Sequence, residues 1–172
     1  MFQVGDAVIH PHRGAGKVVD IEKLQCLGSN KWYYSITLMD GSETKVWVPV
    51  QDAESDGVRY PISKSQLNRV WRILGAEAEP LPADHKERHQ LLHEKISGDV
   101  FGAVAAAVRD MYWKDHSVSS LTIVGKRLYE RGLALLASEI AVVQGCDFVE
   151  AETKITSVLS NSLAQDRSGQ AS

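Results

Sequence analysis

Cysteine is scarce in this chain of 172 residues: Cys26 and Cys146 are the only two, far apart and in no CxxC spacing. That excludes a disulfide framework and a cysteine zinc site, and it fits a reducing cytoplasm. No run of about 18 apolar residues occurs, so no membrane span is expected. Met1-Phe2-Gln3-Val4-Gly5-Asp6 lacks a basic segment followed by an apolar stretch, so no secretory signal is expected and the location reads as cytoplasmic. An excess of positive charge is missing as well. Lys and Arg number 19 against 22 Asp and Glu, with six His held apart. Cutting at Pro80 gives 9 basic against 10 acidic residues before it, and 10 against 12 from it onward. Neither half has the charge of a protein that holds nucleic acid mainly by counterion release. No GxSxG, no Ser, His and Asp arrangement and no repeat stands out, so the chain reads as a non-enzyme with no cofactor and no small-molecule substrate.

What is present is a chain with 44% apolar and 24% charged residues, an ordinary globular balance that excludes wholesale disorder. Its first 60 or so residues read as β. Ala7-Val8-Ile9-His10, Lys17-Val18-Val19-Asp20-Ile21, Trp32 to Leu38 and Thr44 to Val50 are short runs rich in β-branched and aromatic residues. Arg13-Gly14-Ala15-Gly16, Gly28-Ser29-Asn30 and Asp40-Gly41 are turn signals between them. This spacing predicts a barrel of five short strands around Val8, Val18, Ile21, Tyr34, Ile36 and Val48. From Ser63 the apolar period changes to 3.6, and the pattern predicts five helices. Ser63 to Gln66 forms a capping-box pattern ahead of Leu67, Val70, Trp71 and Leu74. Asp84, Asp99, Thr122 and Asp147 are candidate caps of the other four. The expected organisation is a barrel over 1–62, a helix and linker over 63–79, a helical domain over 80–163 and a fraying tail over 164–172. The fold class is α+β.

Candidate chemistry thins out on inspection. Gly14 and Gly16 lead into a strand rather than a helix, which makes them a hairpin turn and not a phosphate loop. His10 and His12 flank Pro11 at the same turn and read as polar loop tips. His85, His89 and His93 recur every four residues on one helix side, but Gln90 stands where a metalloprotease needs Glu, so no metal site is assigned. Trp47 is more informative. If Val46 and Val48 point inward, Lys45 and Trp47 point outward, leaving an exposed aromatic of the kind enriched at protein interfaces.

Taken in order, Phe2 to Gly16, Val46-Trp47-Val48-Pro49-Val50, Gly57-Val58-Arg59, Ser97-Gly98-Asp99-Val100, Val108-Arg109-Asp110-Met111-Tyr112 and Gly125-Lys126-Arg127 resemble segments of the CarD/CdnL family of bacterial transcription regulators. The resemblance spans about residues 1 to 160. It implies a Tudor-like barrel that docks on the β subunit of RNA polymerase, partly by strand pairing. It implies a helical domain that rests on promoter DNA at the edge of the melted region and stabilises the open complex. By position, the docking edge is Thr44, Lys45, Val46, Trp47, Val48 and Pro49, with Trp47 where relatives carry Arg, Met or an aromatic residue. Relatives also carry a tryptophan at the start of the first helix after the linker, followed by a basic pair. Here Asp84 or His85 stands in that place, and the basic pair is partly kept as Lys86 and Arg88 around Glu87. The candidate DNA contacts are His85, Lys86, Arg88, His89, Arg109 and Lys114. Two functions follow: a regulator that docks on polymerase and touches promoter DNA, or an interaction module whose helical domain no longer contacts DNA.

Overall fold

The apolar runs of the first half become four antiparallel strands in sequence order: β1 (Ala7–His10), β2 (Gly14–Cys26), β3 (Ser29–Leu38) and β4 (Lys45–Pro49). A computed structural model describes residues 1–26, 28–98 and 100–169 of the chain. Val8, Val18, Tyr34, Ile36 and Val48 are buried together, joined by Phe2, Ala53 and Val58, with Ile21 packed against them at partial burial. The inward set alternates along β3 and β4, as a half-buried sheet requires. A bulge between Val18 and Asp20 breaks the β2–β3 register and helps the sheet curl.

Among the described residues the sheet has four strands, not the five expected. The fifth element is reduced to one bridge, in which Ile9 and Arg59 exchange N–H···O bonds of 2.7 and 3.1 Å. Three residues explain the brevity. Gly57 turns the chain at φ 85°, Pro61 has no N–H to extend a ladder, and the Arg59 side chain is drawn away to the helices. The result is a curled half-barrel with β4 at one edge.

Among the described residues five α-helices follow: α1 (Lys64–Gly75), α2 (His85–Ser97), α3 (Phe101–Trp113), α4 (Ile123–Gln144) and α5 (Phe148–Gly169). Ser63 makes both bonds of the capping box with Gln66. Asp84 accepts from the N–H groups of Lys86 and Glu87, Thr122 from Gly125, and Asp147 from Glu150. Gly145 ends α4 in the left-handed conformation at φ 67°. Val100 occupies the cap position of α3 without a side-chain bond, and Asp99, the expected cap, lies outside the described residues. A π-helical turn (Lys114–Val118) extends α3. Leu67, Val70 and Leu74 of α1 share one core with Val104, Val108, Leu136, Ile140 and Ile155, so α1 packs as part of the helical unit. Fraying was expected after Leu163. There α5 continues to Gly169, held by Arg167 donating to the His116 carbonyl at 2.8 Å. Residues 170–172 of the expected tail lie outside the described residues.

Polar contacts at Glu139 and Ser138 help fasten the sheet to α4. Glu139, fully buried, accepts two bonds from Arg59 (2.7 and 2.9 Å) and one from the Ile62 N–H (2.9 Å). Ser138 Oγ accepts from the Ala15 N–H at 3.1 Å. A Cβ on Gly14 would lie 2.5 Å from that Oγ, and Gly14 has φ 81°, so glycine is required there for both backbone and space.

Candidate interaction surfaces

The β4 edge is built by alternation. Among the described residues β4 pairs only with β3, through Tyr34↔Val48, Ser35↔Trp47 and Ile36↔Val46. Val48 is committed to the core and Val46 is half-buried, whereas Thr44, Lys45 and Trp47 face solvent and Pro49 is intermediate. Of the six expected docking residues, Thr44, Lys45 and Trp47 thus offer side chains, and Val48 offers only its backbone. Trp47 is 47% exposed but not loose. Its indole N–H donates to Glu22 Oε1 at 2.8 Å. Because Glu22 lies on β2, the ring crosses β3, which accounts for the burial of the outward-pointing Ser35. Glu22 was not anticipated; its signal is an outward acid two strands from an outward Trp, which needs the sheet order to be seen.

The six candidate DNA contacts divide. Arg88 is buried and donates to the carbonyls of Pro82 (2.7 Å) and Ala83 (3.0 Å) and to His85 Nδ1 (2.6 Å). It fixes the linker onto α2. Arg109 is buried as well, donating through Nε to Asp110 (2.8 Å) and through NH1 to the Ile73 carbonyl (3.2 Å) at the end of α1. Asp110 in turn accepts from the Glu79 N–H at 2.9 Å and lies 3.9 Å from the Lys95 ammonium. Both arginines are internal struts, so they are withdrawn as phosphate contacts; their sequence positions gave no sign of the carbonyls they would meet. Lys114 is half-buried and donates at 2.7 Å to Ser119, the residue that caps the π-helical turn.

His85, Lys86 and His89 remain at the start of α2. His89 Nε2 hydrogen-bonds Thr122 Oγ1 at 2.9 Å, which sets the first turns of α2 beside the first turn of α4. Lys126 and Arg127 are exposed there. These two cations were legible in the sequence as a motif but were not assigned to the site. The acids Asp84 and Glu87 share this end, and Asp84, as the cap accepting backbone N–H bonds, has its pKa held below the ordinary carboxylate value. Among the described residues no group of three or more His, Cys, Asp or Glu side chains is arranged to hold a metal ion.

His10 is half-buried rather than a free loop tip. Its Nδ1 accepts the His12 N–H at 3.2 Å, and burial, then the His12 and Arg13 charges, lower its pKa.

Two family models match the chain. One describes the CarD-like/TRCF RID domain over residues 2–64, and the other the CarD C-terminal domain over residues 69–156. The chain belongs to the CarD-like family. A relative from Bacillus subtilis (strain 168), named "Putative transcription factor YdeB", is 28% identical over 147 residues, covering 84% of this chain and 94% of that protein. The boundary between the two matched regions falls at the start of α1, close to where the sheet gives way to the helices. Membership places this CarD-like chain in transcription regulation, within a family of transcription factors that are generally not enzymes. No single helix among its described residues is long and apolar enough to cross a membrane.

Proposed function

We propose that this CarD-like chain is a cytoplasmic, non-enzymatic regulator of transcription initiation that docks on the RNA polymerase β subunit through the β4 edge. The observation that carries the reading is the edge itself: an outer side of β4 unpartnered among the described residues, with Trp47 held outward beside it. An added strand pairs through backbone groups, and a half-exposed aromatic supplies buried area and specificity. Thr44 and Lys45 flank it. The helical unit then reaches promoter DNA with the joined starts of α2 and α4, where His85, Lys86, His89, Lys126 and Arg127 meet phosphates. Docking supplies most of the affinity. A DNA contact that is weak alone then acts at the high effective concentration that tethering creates, and it modulates open-complex stability.

A second reading keeps the polymerase contact and drops the DNA contact. The internal roles of Arg88 and Arg109, together with Asp84 and Glu87 at the same end, favour it. Retardation of promoter duplex by the full chain at low salt separates the two readings.

The test of docking is binding of the full chain to a purified polymerase β-lobe fragment. Trp47→Ala is expected to weaken it by at least about thirtyfold, the loss typical of a central aromatic contact. Equal binding by the variant would remove the β4 edge from the interface.

A further inference from the structure

Away from β4 and from the starts of α2 and α4, the structure contains a groove of about 560 Å³. It lies where the segment leaving the sheet passes α1 and the first turn of α3. Arg59, Tyr60, Arg69, Ile73, Val100 and Phe101 are among the residues that line it. The size is that of a small-molecule site, and its wall is mainly apolar with a few polar groups, as such sites are.

Two properties set it apart from an ordinary surface dent. Two of its lining groups are open to solvent: Val100 is 66% exposed and Tyr60 is 54% exposed. Its charge is of one sign among the described residues. Arg59 and Arg69 line it, and no carboxylate does. The two arginines differ in state. Arg59 is neutralised by Glu139 behind it and lies 6.0 Å from the centroid of the Phe101 ring. Arg69 is exposed and has no ion pair among the described residues. Arg69, Val70 and Ile73 recur at helical spacing on α1, so the free guanidinium stands on the same helix face as the apolar wall.

We propose that this groove binds a small organic anion: an apolar or aromatic body against Val100, Ile73 and Phe101, with its acidic group on Arg69. A guanidinium suits carboxylate, sulfonate or phosphate, and the surrounding apolar wall strengthens the pairing by excluding water. None of the residues lining the groove belongs to β4 or to the starts of α2 and α4. Because Arg59 and Ile62 both bond Glu139, a ligand there sits on the joint between sheet and helices.

The experiment is a fluorescence titration of the full chain with 8-anilinonaphthalene-1-sulfonate, an aromatic sulfonate, followed by displacement. Saturable binding at one site is expected, displaced by octanoate but not by octanol at equal concentration. Arg69→Glu is expected to weaken it about tenfold, whereas Arg72→Glu, the same charge change on α1 outside the groove, leaves it within about twofold. Val100→Asp, which places a residue favoured at a helix cap and so preserves folding, weakens binding as well. Unsaturable binding, equal displacement by octanol, or equal effects of the Arg69 and Arg72 variants would overturn the proposal.

Discussion

Glu139 carries more of this structure than any residue of the outer surfaces. A carboxylate at zero exposure is costly unless its lone pairs are filled, and here Arg59 and the Ile62 N–H fill three of them. Glu139→Gln keeps the shape but removes the charge facing Arg59. It is expected to cost about 2–4 kcal/mol in urea unfolding, and an unchanged midpoint would mean that the pair is incidental. The sequence held a sign of this, an acid inside the apolar stripe of Leu136, Ala137 and Ile140, but not the partner, which lies 80 positions away. His10 offers a second check. Burial chiefly, with the His12 and Arg13 charges, lowers its pKa below the ordinary 6.5, so the folded state binds its proton less readily than the unfolded state. The stability this contributes is present above pH 6.5 and is lost as pH falls through the folded pKa. A urea series from neutral to mildly acidic pH is therefore expected to show a steeper loss for the wild-type chain than for His10→Asn. Parallel curves would count against this role.

At the scale of elements, the helices were nearly all legible because local chemistry fixes them. Ser63, Asp84, Thr122 and Asp147 bond the first-turn N–H groups predicted for them, and Gly145 stops α4. The sheet was legible in its runs and alternation but not in its closure. Whether a fifth segment pairs depends on where the chain must go next, and Arg59 leaves the sheet to reach α4. The burial of two candidate DNA contacts was hidden for a similar reason. Arg88 and Arg109 look like solvated helix charges until the carbonyls of Pro82, Ala83 and Ile73 are placed beside them. The proposed DNA contact therefore includes the start of α4. Replacing both Lys126 and Arg127 by Glu is expected to weaken retention of promoter duplex by about tenfold or more at low salt and to lower the slope of log affinity against log salt by about two. An unchanged slope would favour the interaction-module reading.

In the whole molecule, these pieces are held in a fixed geometry. The Arg59–Glu139 and Ala15–Ser138 contacts hold the curled sheet against α4, so a partner on the β4 edge also sets where the starts of α2 and α4 lie. On the proposed reading, that rigidity lets position replace charge as the source of DNA occupancy for a chain without basic excess. The measurement that tests this most directly is the lifetime of the polymerase open complex at a promoter, with the wild-type chain, Trp47→Ala and the Lys126→Glu/Arg127→Glu double variant compared at saturating concentration. The wild-type chain is expected to change the lifetime, Trp47→Ala to lose the effect through lost docking, and the double variant to bind polymerase normally yet leave the lifetime near that of polymerase alone. A wild-type chain that binds polymerase without altering the lifetime, or a double variant that acts like the wild type, would contradict the account.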